Sequence, residues 1–523
     1  TEGKHFSDWL LPPSSFIFPD ALLYGIAYIL SKNVFTQILI LAILQSVAFF
    51  FLVSALLSQF FRHLVAITYS ALISANIIIL GLYFSDPFGL SFLSSHHFGS
   101  LLSLLMLSIL LLKFTSASTF KIKFCIGILS VVVTALSVIS DRLILLHLIA
   151  PILLIAIFFS YTGTRQKEIL KFGLSLLTGI LLAFILEKIY ISRIAQLGVG
   201  FGSLFDKSIL LANWTLAEPW LTQLTIISLP ISLLSALLFL RKNNKSIDES
   251  NVQKNTLALF ILVSTLFTLF VTGLSSREFT PRYLLPYLFL SPIFLFLFLP
   301  KKTHKFLATL LFFSCIAGFF TTTSKEKMSG QFYDTYPEFV KCVDTLAQKH
   351  AVTRGVAQFW DAFPLYVFSS NGLSVAPVID DVSPMKWIYN ASDFAGDFSF
   401  AVIDNSATGI YKISKTAIER QLTNKPFEYQ CFGKTVLIFN NETITLPQAP
   451  VISNLRSSAL ESFIKNPRAL LIMAQGESAS GNNEAAARLI SEAVALLRQA
   501  GASSETIRYY ETIQQKYTRR KGD

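Results

Sequence analysis

Apolar residues in this chain come in long unbroken runs, not in alternation. Stretches such as 37–61 and 256–273 carry almost no charge, and each is long enough to cross a hydrocarbon core of about 30 Å. On this pattern the first part of the chain predicts ten spans, at 35–61, 64–85, 98–114, 124–140, 143–161, 172–187, 221–240, 257–275, 283–299 and 306–322. The segment LPPSSFIFPDALLYGIAYIL ahead of them is apolar too, but prolines and Asp20 interrupt it. Its backbone would be badly satisfied in lipid, so it is expected as a juxtamembrane helix lying in the interface.

After about residue 324 the pattern changes to ordinary charge density with short, broken hydrophobic runs. YPEFVKCVDTLAQKH has helical amphipathicity, whereas RGVAQFW, LSVAPVI, FSFAVIDN and KTVLIFN read as strands bounded by turn residues. Residues 325–450 are therefore expected to form a soluble α/β domain. Residues 451–523 are Ala-rich and helical, with the small-residue spacing of a tetratricopeptide-like unit, suited to packing on the domain or docking a protein partner. The expected fold is thus an α-helical polytopic membrane domain (1–324), a soluble α/β domain and a helical tail.

Composition agrees: 53% of the 523 residues are hydrophobic and 14% are charged, where a soluble domain averages about 25% charged. The net charge of +11 does not imply nucleic acid, because no basic-aromatic stacking pattern accompanies it and the cations collect in alternate short loops. Those loops hold Arg62; Lys113, Lys121 and Lys123; Arg165, Lys167 and Lys171; Arg241, Lys242, Lys245 and Lys254; and Lys301, Lys302 and Lys305. The positive-inside rule makes them cytoplasmic. The opposite loops, the soluble domain and Thr1 then face away from the cytoplasm, and an eleventh span is expected ahead of Thr1. Cys125 and Cys315 lie in apolar spans and read as buried thiols. Cys342 and Cys431 are able to pair in an oxidising compartment, a matter that spacing alone leaves open.

The acids of the membrane part concentrate in the non-cytoplasmic segments. Asp8, in HFSDWLLPPS, and Asp20 are candidate general bases, with Asp20 alternatively a first-turn acid favoured by the helix dipole. Asp141 and Arg142 interrupt a long apolar run and are either a polar turn or part of a membrane-embedded site. His147, one turn later, is expected as a packing histidine. Asp86, His96 and His97 share one loop; a divalent metal held by Asp8, Asp86 and His96 is conceivable, as is a histidine touching sugar or phosphate. In SREFTPRYLLPYLF, Arg277 and Arg282 have the bidentate fork that suits a phosphate, with Glu278 placed to hold one of them or a hydroxyl. In the soluble domain, Trp360, Asp361, Trp387 and Asn390 are either sugar-stacking residues or core packing.

A first-loop acid, a later polar turn and RYLLPYLF opening a late span together resemble the GT-C superfamily of polytopic glycosyltransferases, in the branch of bacterial protein mannosyltransferases and lipid A aminoarabinose transferases. The resemblance covers residues 1–324. It implies transfer of a sugar from a polyprenyl-phosphate-linked donor to a glycan, lipid or protein acceptor, on the non-cytoplasmic face of a bacterial inner membrane with the soluble domain in the periplasm. Asp8 matches the catalytic acid best, with Asp20 as rival. Arg282, then Arg277, match the residues that hold the donor phosphate, with Arg142 beside them and Asp141 as a second loop acid. The adjacent acid pair of the mannosyltransferases is missing, since Trp9 follows Asp8. A transporter or flippase of a lipid-linked glycan, or a non-enzymatic scaffold, are the alternatives; neither a P-loop nor a dinucleotide motif occurs.

Overall fold

A computed structural model describes residues 9–10, 17–83, 98–160, 166–190, 220–243, 249–274, 284–323, 336–385, 389–407, 412–446, 470, 474, 483–499 and 504–519. Its larger part is a helical bundle: α1 (Leu22–Leu30), α2 (Val34–Leu57), α3 (His63–Tyr83), α4 (Phe98–Ser116), α5 (Phe120–Ser140), α6 (Ala150–Ser160), α7 (Gln166–Tyr190), α8 (Trp220–Asn243), α9 (Glu249–Leu274), α10 (Leu285–Phe298) and α11 (Lys301–Thr323). Among the described residues seven of these helices, α2 to α5, α7, α9 and α11, are long and apolar enough to cross a membrane. The chain is a helical membrane protein.

Helix α4 is the axis of the bundle, buried along nearly its whole length, while α11 lies at the periphery. Gly99, Ser100, Ser103 and Ser108 of α4 are all buried. Small residues let helix backbones approach closely, which is how helices associate where lipid is as apolar as leucine. The same device joins α5 to α7. A Cβ on Gly179 would stand 2.8 Å from the Val131 carbonyl and 2.7 Å from Thr134 Cβ, so only glycine permits that crossing. Asn76 of α3 donates to Ser314 Oγ of α11 at 2.9 Å and fastens the peripheral helix.

One expectation needs correction, that of Cys125. Helix α1, expected ahead of the spans, is joined to α2 by a three-residue turn and packs on it, with Tyr24 donating to Gln37 Oε1 at 2.6 Å. At nine residues, about 14 Å long, it does not span. Cys125 is exposed on its helix and only Cys315 is partly buried, because α5 turns its first two turns away from the core.

The C-terminal part contains a five-stranded sheet in the order β3–β2–β6–β8–β7, from β2 (Arg354–Ala357), β3 (Ser374–Pro377), β6 (Phe400–Asp404), β7 (Phe427–Cys431) and β8 (Lys434–Ile438). Strands β2, β3 and β6 are parallel, and β8 runs antiparallel to both β6 and β7. Two short antiparallel pairings accompany it, β1 (Trp9–Leu10) with β4 (Tyr389–Asn390) and β5 (Asp397–Phe398) with β9 (Ile444–Thr445). Side chains of the sheet alternate by face. Phe400, Val402, Val436 and Ile438 pack under α12 (Glu338–Lys349) and α13 (Phe359–Phe368), while Ala401, Ile403 and Leu437 face the opposite core. The run RGVAQFW divides: its strand stops at Ala357 and Gln358 caps α13, its side chain accepting from Trp360 N–H at 2.9 Å. Strand β7, FEYQC, had no apolar alternation to announce it. It exists because Phe432 and Gly433, both at positive φ (54° and 80°), make the tight turn that returns β8 beside it. In the tail, α15 (Asn483–Gln499) and α16 (Ser504–Arg519) pack on each other through Ile490, Ala493 and Tyr510; the preceding short helix α14 is Lys415–Glu419.

Cys342 of α12 and Cys431 of β7 form a disulfide, with a sequence separation of 89. Closing so long a loop restricts the unfolded chain strongly. Replacing both cysteines by serine is expected to cost about 2–4 kcal/mol, measured by urea-dependent proteolysis of the domain in the full-length protein.

Lys434 bridges two acids on the α13 side of the sheet, at 2.8 Å from Asp361 and 2.6 Å from Asp404. Burial opposes ionisation of Asp404, but hydrogen bonds from Lys434 and Ser406 outweigh it and hold its pKa down from 3.8 to about 2. Burial likewise opposes the Lys434 charge, and the two carboxylates more than restore it, raising its pKa. The Asp404 contribution is therefore complete above about pH 4 and lost as pH falls toward about 2. The Lys434 contribution is complete below about pH 10 and lost as pH rises through its elevated pKa. Melting of the domain against pH is expected to lose both shoulders in Lys434→Met.

Candidate functional site

The site begins with a kinked segment, Ile17–Ala21, at the head of α1. Phe18 is extended (φ −128°, ψ 133°), the Phe18–Pro19 peptide is cis, and the Phe18 N–H donates to Ser140 Oγ at the end of α5, at 3.0 Å. This turn carries Asp20 inward, where it is only 3% exposed. Gln45, halfway along α2, donates from Nε2 to Asp20 Oδ1 at 3.0 Å. The other oxygen lies against the first turn of α4: a Cβ on Gly99 would be 2.2 Å from Asp20 Oδ2 and 2.9 Å from Pro19 Cδ. Glycine at position 99 is what makes room for the carboxylate.

The second acid arrives from the neighbouring helix. Asp141 caps the C-terminus of α5, is also 3% exposed, and accepts from Leu143 N–H at 3.0 Å and from the hydroxyl of Ser100. Asp20 and Asp141 thus meet consecutive residues, Gly99 and Ser100, on one helical turn. That turn lies at the positive end of the α4 dipole, which is favourable to anions. Two charges buried in a bundle otherwise lined by leucine need this provision, since an unprovided buried carboxylate is very costly.

Beside Asp141, Arg142 is ion-paired with Glu187 near the end of α7. Its side chain remains 46% exposed against 11% for Glu187. The glutamate therefore fixes the direction of the guanidinium while leaving much of it accessible. One turn on, a π-helical turn, Leu145–Ile149, holds His147. Its Nδ1 is 3.0 Å from the Tyr287 hydroxyl, which also meets Ser264 Oγ at 2.6 Å and Thr268 Oγ1 at 2.7 Å. His147 is the expected packing histidine, and Tyr287, from RYLLPYLF, is the hub that ties α10 to α9 and to the turn after Arg142.

Of the residues singled out in sequence, Asp20, Asp141 and Arg142 converge on the ends of α4, α5 and α7. Asp8, Asp86, His96, His97, Arg277, Glu278 and Arg282 lie outside the described residues, as does Trp387. In the sheet-containing region Asp361 is buried in an ion pair with Lys434. Trp360 is exposed, and the backbone of Asn390 pairs with Trp9. Gln45, Gly99, Ser100 and Glu187 were missed. Gln45 and Glu187 did leave a signal, a polar residue inside an apolar run; Gly99 and Ser100 left none, because small residues recur throughout these helices. Among the described residues no three metal-ligating side chains cluster. No protein-family model matches the chain, and no curated protein is significantly similar to it.

The fit at Gly99 is directly testable. Gly99→Ala is expected to push Asp20 off Gln45 and to lower stability by about 1–3 kcal/mol through overpacking, read as a fall in melting temperature of the detergent-purified protein. Gly25→Ala serves as the control, since nothing lies within 4 Å of a Cβ there.

Proposed function

We propose that the chain is a membrane glycosyltransferase of GT-C type, moving a sugar from a polyprenyl-phosphate donor to an acceptor hydroxyl at the membrane face that bears the soluble domain. One observation carries this reading above all: two buried acids and a half-exposed, oriented arginine converge at the end of the bundle on which that domain sits.

In this scheme Asp20 takes the proton of the acceptor hydroxyl, whose oxygen bonds to the anomeric carbon as the bond to the lipid phosphate breaks. The phosphate leaves with the electron pair. Arg142, steadied by Glu187, offers preorganised charge to that leaving group, together with Arg277 and Arg282 on the strength of their sequence alone. Asp141, tied at both oxygens, positions Ser100 and the α4 turn. A single displacement of this kind inverts the anomeric centre. The ten-span path, the bacterial inner membrane and a periplasmic soluble domain belong to the same reading, and the Cys342–Cys431 disulfide supports it, since such bonds persist in oxidising compartments. The helical tail, α15 and α16, would then recruit a protein partner.

The test is transfer of labelled sugar from polyprenyl-phosphate donors by the full-length protein in lipid nanodiscs. Asp20→Asn is expected to lower the rate by about 10²–10⁴-fold while donor binding persists. Loss with Asp8→Asn but not Asp20→Asn moves the base to Asp8. No transfer from any such donor by the unaltered protein removes the enzyme reading.

A further inference from the structure

Helix α13, FWDAFPLYVF, is apolar on every side. Phe359, Ala362 and Leu365 are buried in the core of the soluble domain. Its one charged residue, Asp361, also points inward, to Lys434. That leaves nothing charged for the outward face, where Trp360 (60% exposed), Phe363 (37%) and Val367 (37%) form a stripe at helical spacing with Tyr366 (49%) beside it. A helix with no charged face belongs in a core or in lipid, and this one stands on the surface of a domain.

Its contacts with the rest of the chain bear on what covers the stripe. Phe368, the last residue of α13, stacks on Phe35 in the first turn of α2, with ring centroids 4.6 Å apart and an interplanar angle of 22°. A second tie between the same two parts of the chain is the antiparallel pairing of β1 with β4. The surface around that end of α2 is itself apolar. Ile29 and Leu30 of α1 and Leu39 and Ile43 of α2 are exposed, which is the mark of surface facing hydrocarbon. Lipid therefore reaches the level of the α1–α2 turn, and there Lys32 lies 5.1 Å over the Tyr28 ring, an aromatic and a cation of the kind that anchor helices at the headgroup level. Helix α13 begins its contact with the bundle at that level.

We infer that α13 lies on the bilayer surface, with the Trp360, Phe363 and Val367 stripe sunk into the headgroup–acyl boundary, so that the soluble domain is held on the membrane by lipid as well as by protein contacts. The occupant is the bilayer in which the chain itself is embedded. Tryptophan suits this depth because its ring is amphipathic. The inference stands apart from the proposed catalysis and holds whether or not the chain transfers sugars.

The experiment uses full-length protein, one copy per nanodisc, in lipids brominated high or low on the acyl chain or not at all. The emission of Trp360 is taken as the difference between the unaltered protein and Trp360→Phe. The expected result is a blue-shifted component quenched most by bromine near the headgroups. A Trp360 component with water-like emission and no quenching overturns the inference. So does burial of Trp360 that develops only when two copies share a disc, which assigns the stripe to a second chain. As an independent measurement, hydrogen exchange across 359–368 is expected to quicken several-fold when Trp360, Phe363 and Val367 are all replaced by glutamine. Exchange that is equally slow in lipid-free detergent-depleted protein and in nanodiscs speaks against lipid contact.

Discussion

Two carboxylates buried in hydrocarbon set the terms for one end of this molecule. Asp20 and Asp141 cannot be accommodated there by packing alone; each must be met by donors and by backbone dipoles. The first turn of α4 serves both. Gly99 gives up its side chain so that Asp20 can approach, and Ser100 donates to Asp141. Much else depends on that meeting. The kink at Ile17–Ala21, the packing of α1 on α2, and the contact of Phe18 with Ser140 are the means by which a residue before the first long helix reaches the bundle axis.

Around this centre the polar groups are graded by their exposure to surroundings. Glu187 is buried and Arg142 half-exposed, so the pair orients a cation without enclosing it. The His147–Tyr287–Ser264–Thr268 cluster is fully enclosed and acts as a clasp between helices. Asp20 is aimed into the bundle by the kink at Phe18, and His147 sits in a π-helical turn, Leu145–Ile149, just after the Asp141–Arg142 turn. The sheet-containing region touches the bundle through Phe35 with Phe368, in the first turn of α2, and through the short β1–β4 pairing.

A good deal of this was legible in the residues. Each of the ten expected apolar stretches overlaps a helix, with ends displaced by up to eight residues, and among the described residues seven of those helices are long and apolar enough to cross a membrane. The break at Asp141–Arg142 correctly marked a turn between helices. The strands β3, β6 and β8 were visible from their β-rich runs between turn residues. Strand β7 was not, and neither was the inward course of Asp361: a lone aspartate beside tryptophan reads equally well as a surface ligand until a lysine from a distant strand, Lys434, is seen to face it.

Hydropathy and charge in the sequence by themselves determined that this is a helical membrane protein followed by a small sheet-containing region, and they pointed to Asp20, Asp141 and Arg142 as worth explaining. Local composition suffices for those conclusions, since the free energy of leaving water is summed residue by residue along each helix. Only the tertiary structure decided which of these groups share a site. Asp20 is met by Gln45 and Gly99, Asp141 by Ser100, and Arg142 by Glu187. These partners come from three different helices, α2, α4 and α7, and nothing in one dimension reports a distance across a bundle. Their proximity is a property of helix packing, in which the absence of a single Cβ at Gly99 decides whether a carboxylate can be there.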